Sequence, residues 1–214
     1  MEKLREYRPA LAAFLLMMAM SLTTTALSFF VGPVCNALGF GRGSFTVYYS
    51  LMTATGAFSI PILGQIINKR GVRGILAVSA FWVAAGLCAF SLSGALWVFY
   101  AAGAGLGLFG TSCVSLCANV IVLQSYSGGR ASGLLGLVMS GSGVGGMIVS
   151  LLLPGLIEDL GWRMCYRLLA LCWLVLGLSA LALLGKADLS GGVGQRRTPV
   201  DGMSRAQALR SPKL

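Results

Sequence analysis

With six cysteines, no histidine and six acidic residues, the sequence offers little from which to build a catalytic centre. Cys113 and Cys117 stand one helical turn apart, but no second ligand pair lies near them. No nucleophile–base pair is recognisable either, so enzyme chemistry, a metal site and a cofactor are not expected. The other cysteines (Cys35, Cys88, Cys165 and Cys172) lie within or beside apolar runs, where cysteine is a small packing residue. What remains is neutral and polar: Thr23, Thr24, Thr25 and Ser28, then Tyr48, Asn119, Gln124 and Ser140, each inside a long apolar stretch. Hydroxyls and amides there can bind a small carboxylate or a neutral solute. They can equally tie helices together, with bonds worth under about 2 kcal/mol each in a bilayer. Arg167, near one end, is the one ionisable group other than thiols and phenols within these stretches. Since such groups mark proton relays and ion pathways, the sequence carries no carboxylate proton site of its own.

The spacing of charge defines the elements that hold these residues. Charged types make up 10% of the chain and apolar types 57%, far from the quarter charged of a soluble domain. Uncharged runs of 33, 26, 56, 27 and 18 residues separate the charged clusters. A helix needs about 20 apolar residues to cross the hydrocarbon, so the longest run holds two spans and the others one each. The fold class is therefore all-α and polytopic, with six transmembrane helices near 10–31, 45–67, 75–92, 96–124, 132–157 and 168–184. The first run is too long for the 7–15-residue core of a signal peptide and reads as a retained span. The net charge of +10 raises nucleic acid as a partner. Placement argues against it, because the basic residues gather at span ends. With the N-terminus inside, 13 of the 16 basic residues fall on the inner side, the bias of cytoplasmic loops. A multi-pass protein of the plasma or bacterial inner membrane follows, with both termini cytoplasmic. Residues 1–187 form the bundle, and 188–214, polar and rich in Gly, Ser, Pro and Arg, read as a solvated tail.

A faint repeat appears at an offset of 90: Gly56, Ile67, Gly71 and Arg73 recur as Gly146, Ile157, Gly161 and Arg163. The matching loops fall on opposite sides of the membrane, as an inverted repeat of three helices against three requires. The pairs Gly103/Gly107 and Gly141/Gly145 carry small-xxx-small spacing, which lets helix backbones approach closely. Static packing and surfaces that slide during transport are both compatible with them.

The loop after the second span reads Gly64-Gln65-Ile66-Ile67-Asn68-Lys69-Arg70-Gly71-Val72-Arg73. It resembles the signature loop of the major facilitator superfamily, G-x-L-A-D-R-x-G-R-K. Gly64, Lys69, Gly71 and Arg73 agree in type and spacing, while Asn68 replaces the aspartate and Val72 a basic residue. Further on, Arg130-Ala131-Ser132-Gly133, the run from Gly141 to Gly146, and Gly161-Trp162-Arg163 resemble the monocarboxylate transporter and oxalate/formate antiporter branch. The resemblance implies half of a twelve-span secondary transporter working by alternating access, with the tail similar to the segment that leads into a seventh span. It implies that the loop 64–73 latches the cytoplasmic side, more weakly without the aspartate. It also implies that spans 1, 2, 4 and 5 line the cavity, which makes Thr24, Ser28, Tyr48, Asn119 and Ser140 candidate substrate contacts. Gln124 lies nearer the inner surface. Expected partners are the lipid bilayer, a small-molecule substrate such as an organic anion, and a second six-helix half or a second copy. A truncated inactive fragment and a membrane assembly or regulatory protein remain open as alternatives.

Overall fold

Apolar stretches this long must satisfy their backbone internally, because lipid offers no hydrogen bonds. A computed structural model describes residues 2–184, without the side chains of residues 2–5 and Arg70; the tail expected at 188–214 lies outside the described residues. The helices are α1 (Glu2–Thr24), α2 (Ala26–Leu38), α3 (Arg42–Arg70), α4 (Val72–Leu92), α5 (Leu96–Leu106), α6 (Ser112–Ser125), α7 (Gly129–Leu160) and α8 (Trp162–Leu183). A π-turn, Gly107–Thr111, joins α5 to α6. Among the described residues six helical segments are long and apolar enough to span: Glu6–Leu38, Arg42–Lys69, Val72–Leu92, Leu96–Ser125, Gly129–Leu160 and Trp162–Leu183. The first combines α1 and α2, and the fourth combines α5, the π-turn and α6.

The helices outrun the hydropathy limits. The first continues to Leu38 rather than 31, and the sixth starts at Trp162 rather than 168. Hydropathy ends where charge appears, but a helix continues until its backbone is turned. At four of the five span junctions a glycine at positive φ makes the turn, Gly39, Gly71, Gly128 and Gly161, a conformation that other residues adopt only at a cost; the α4–α5 junction turns through an extended Ser93 instead.

The inverted repeat is visible in the backbone. Gly71 (φ 77°, ψ 169°) and Gly161 (φ 78°, ψ 156°) take the same conformation 90 residues apart. Their N–H groups donate to Ile67 O and Ile157 O at 2.9 and 3.0 Å. The packing obeys the same exchange. Span 1 packs on span 5 as span 4 packs on span 2, span 1 meets span 6 as span 4 meets span 3, and spans 3 and 6 pair with each other. Gly56 faces Gly107 O and Ser112, and its counterpart Gly146 faces Thr25.

Glycine lies at both major crossings. A Cβ on Gly103 would sit 2.9 Å from Tyr48 O, and one on Gly141 would sit 2.7 Å from Phe14 O. One on Gly107 would strike Met52 O and Thr55; one on Gly145 would strike Ser21 and Met18 O. Spans 4 and 5 thus supply the glycines, and spans 2 and 1 the carbonyls laid against them. Away from the chain termini the core is aromatic. Phe30 stacks on Tyr166 at 3.9 Å between centroids, and Phe90 links Tyr48, Phe99 and Tyr166. Trp173 Nε1 donates to Thr23 Oγ1 at 2.8 Å, a buried bond between spans 6 and 1.

Candidate functional site

An open groove of about 310 Å³ lies between spans 1, 2 and 4. Span 4 contributes Thr111, Ser112, Ser115, Leu116 and Asn119; Met20 comes from span 1 and Ile60 from span 2. Thr111, Ser115 and Asn119 recur every four residues, so they share one helix face and form a polar ladder about 12 Å long. The sequence reading included Asn119 and missed Thr111, Ser112 and Ser115; their i, i+4, i+8 spacing was the available signal.

Many hydroxyls in the bundle spend their one O–H donor on their own helix. Thr24 donates to Met20 O at 3.2 Å, Ser28 to Thr25 O at 2.7 Å, and Ser140 to Leu137 O at 2.7 Å. Thr24 shares a face of α1 with Met20, so it lies at the groove's edge; Ser28 and Ser140 are exposed. In these conformations all three can only accept further bonds. Among the described residues, Thr111, Ser112, Ser115 and Asn119 make no hydrogen bond through their side chains within the chain, so their donors are available. Tyr48 differs from the expectation of a cavity wall. It is buried among Phe45 and Phe90, and its hydroxyl donates to Leu27 O at 3.3 Å. Its ring fills the span 1–span 2 contact rather than an open surface.

The π-turn above the ladder is braced by its neighbours. Thr55 of span 2 donates to Ala104 O at 2.9 Å, Trp82 of span 3 donates to Gly105 O at 2.9 Å, and Ser79 donates to Phe109 O. Carbonyls in the turn and just before it thereby gain side-chain donors from spans 2 and 3.

On the side holding the start of α1 and the end of α8, Arg73 donates to Leu184 O at 2.9 Å. A cation is favourable there because the helix dipole is negative at its C-terminus. Asn68 and Lys69 are exposed, Gly64 has open space at its Cβ position, and Gly71 makes the turn. On the same side Arg130 binds Glu6 at 2.7 Å and the Tyr7 hydroxyl at 3.0 Å, and the Tyr126 hydroxyl donates to Glu6 O at 2.5 Å. These contacts join the loop between spans 4 and 5 to the start of span 1. Burial pushes the Tyr126 phenol up, with a backbone hydrogen bond at Ala10 and the charge of Arg130 opposing it.

The exposed faces are of two kinds. α4 and α8 present large apolar groups, among them Val78, Phe81, Trp82, Leu171, Val175 and Leu178. α3 and α7 carry in addition stripes of small and hydroxyl residues: Ser50, Thr53 and Ala57 on α3, and Gly133, Gly136, Ser140 and Gly143 on α7. Gly133, Gly136 and Gly143 have nothing within 4 Å of a Cβ position.

The family model of the Major Facilitator Superfamily matches residues 10–213. The chain belongs to the major facilitator superfamily. Among curated relatives it is similar to monocarboxylate transporter 9 of Rattus norvegicus and of Mus musculus, each 31% identical over 156 residues. The Pongo abelii protein of the same name is 30% identical over the same length. Each match covers 72% of this chain and 29% of the relative, so less than a third of the relative's length is represented. The bundle is that of a multi-pass membrane protein of this superfamily.

Proposed function

We propose that the chain is the N-terminal half of a secondary transporter that moves a small solute, such as a small organic anion, by alternating access. The observation that carries this reading is the contrast between faces. A surface meant for lipid has no use for stripes of glycine, serine and threonine, whereas α4 and α8 carry the bulky apolar groups that lipid favours. The small-residue stripes of α3 and α7 suit close approach of a second six-helix half. The groove then opens towards that half rather than towards lipid. Both termini and the loop 64–73 lie on the cytoplasmic side of a cell membrane, with Arg73 closing onto span 6 and Asn68 offering the second half a neutral partner. Two bundles that rock about a site between them are needed for alternating access. The chain alone has one such bundle and no ionised group inside the groove. The test is uptake of labelled small carboxylates by vesicles holding the 214-residue chain, with and without a co-expressed second half from a monocarboxylate transporter. Saturable, gradient-driven uptake is expected only with both halves. Equal uptake by the chain alone would overturn the half-transporter reading.

A further inference from the structure

The groove carries hydrogen-bonding capacity that nothing among the described residues uses, and its chemistry is specific. Thr111, Ser112 and Ser115 each bring an O–H donor and two lone pairs, and the Asn119 carboxamide brings two N–H donors and an acceptor oxygen. None is hydrogen-bonded through its side chain within the chain, among the described residues. Leaving such groups against hydrocarbon is costly, and many other hydroxyls of the bundle avoid it: Ser21, Thr53, Thr55, Ser59, Ser142 and Ser179 donate to carbonyls of their own helix. The remaining walls, Met20, Ile60 and Leu116, are apolar. Volume and lining match a small-molecule site, where a few placed polar groups fix orientation in an apolar pocket.

The π-turn is a second and independent pointer. Such turns occur mostly as single interruptions of α-helices, frequently at functional sites. Here the consequence can be followed. A regular α-helix through 107–111 would rotate α6 by about 100° relative to α5. The groove would then be faced by Gly110, Val114 and Ala118, which are now buried in the core. The irregular turn, braced by Thr55, Ser79 and Trp82, is what presents a polar ladder in place of an apolar one.

No charge accompanies the ladder. No Asp, Glu, Lys or Arg occurs between Arg8 and Arg42, between Arg42 and Lys69, or between Arg73 and Arg130, the runs that contribute the groove. An ionised carboxylate placed there would lack a counter-charge from this chain, whereas a hydroxyl, keto or amide group would find both donors and acceptors. We infer that Thr111, Ser112, Ser115 and Asn119 form a recognition site for the uncharged hydrogen-bonding group of the transported solute. Any carboxylate of that solute is neutralised outside this chain. The inference rests on the transporter reading and adds to it the chemistry that this half selects.

The experiment uses the full chain in lipid nanodiscs and three probes: 2-hydroxypropionamide, 2-hydroxypropionate and propionate. Saturation-transfer NMR reports binding. The amide and the hydroxy acid are expected to bind, with propionate at least five-fold weaker. Asn119→Leu and Ser115→Ala, made separately, should each lower binding of the amide several-fold without changing the melting temperature or elution profile. Ser142→Ala, whose hydroxyl is spent on Met139 O, should leave it unchanged. Propionate binding as tightly as the hydroxy acid would overturn the inference, as would amide binding indifferent to both variants, or an effect of Ser142→Ala equal to theirs. Amide binding lost in the two variants while the assembled halves fail to move any carboxylate would support the site and remove the organic-anion reading. Carboxylate uptake by the assembled halves with selectivity untouched by Asn119→Leu would do the reverse.

Discussion

Asn68 and Arg73 are five residues apart at one turn of the chain, on the same side of the bundle, and have different surroundings. Arg73 caps the C-terminal end of span 6, while Asn68, exposed in the last turn of α3, makes no hydrogen bond through its side chain among the described residues. Arg73→Gln removes a charge-assisted bond and should lower stability by about 1 kcal/mol; Arg73→Lys, still cationic, should lose less. Thermal denaturation in detergent checks both, and equal loss in the two variants would mean that charge at the helix end is irrelevant. Asn68→Asp has opposite expected effects in two settings. In the chain alone a carboxylate near the C-terminus of its own helix is unfavourable, by about 0.3–1 kcal/mol. In the assembled transporter it restores an acidic latch, so cysteines on the inner side should become less accessible. Unchanged accessibility with intact expression would reduce the loop to a basic patch that sets topology. The sequence exposed this loop because glycine and charge spacing survive in composition. It did not expose the role of Tyr48, because an aromatic residue one turn into a span reads alike whether it faces a groove or a core. Only packing with Phe45 and Phe90 decides.

At the scale of elements, the span count was readable because lipid forces apolar runs of fixed length between charges. The ends were not, because local backbone turns, at Gly39, Gly71 and Gly161 with positive φ, rather than charge stop the helices. The π-turn was invisible as well: nothing in Gly107–Thr111 distinguishes an i→i+5 turn from a regular one except partners supplied by Thr55, Ser79 and Trp82 from other spans. Glycine shows the same limit from the other side. Gly107 and Gly143 look alike in sequence, yet a Cβ on the first would strike Met52 O and Thr55, while on the second it would meet open space. Gly107→Ala should therefore destabilise the isolated chain by about 1–3 kcal/mol, the usual cost of overpacking, and broaden its elution profile. Gly143→Ala should do neither. Similar behaviour of the two would contradict the tight crossing of spans 2 and 4.

The whole bundle is organised by an internal symmetry and, in the proposed transporter, by its pairing with a second half. The internal one pairs spans 1 to 3 with spans 4 to 6 in inverted sense, down to the matching backbone at Gly71 and Gly161. Orientation rests on the placement of basic residues. Single cysteines at 42, 94 and 160 should label from outside intact cells, and one at 129 only after permeabilisation. Outside labelling at 129 would invert the topology and place Arg73 and Arg130 on the external face. The outer organisation rests on the unlike faces of α3 and α7 against α4 and α8. Spin labels at Ala54 and Gly143, and at Val78 and Val175, can report oxygen accessibility in proteoliposomes of the chain alone and of the chain co-expressed with a second six-helix half. Covering of the small-residue face predicts that accessibility at 54 and 143 falls several-fold on assembly while 78 and 175 stay open to lipid-dissolved oxygen; four labels that respond alike, or that do not respond, would contradict it.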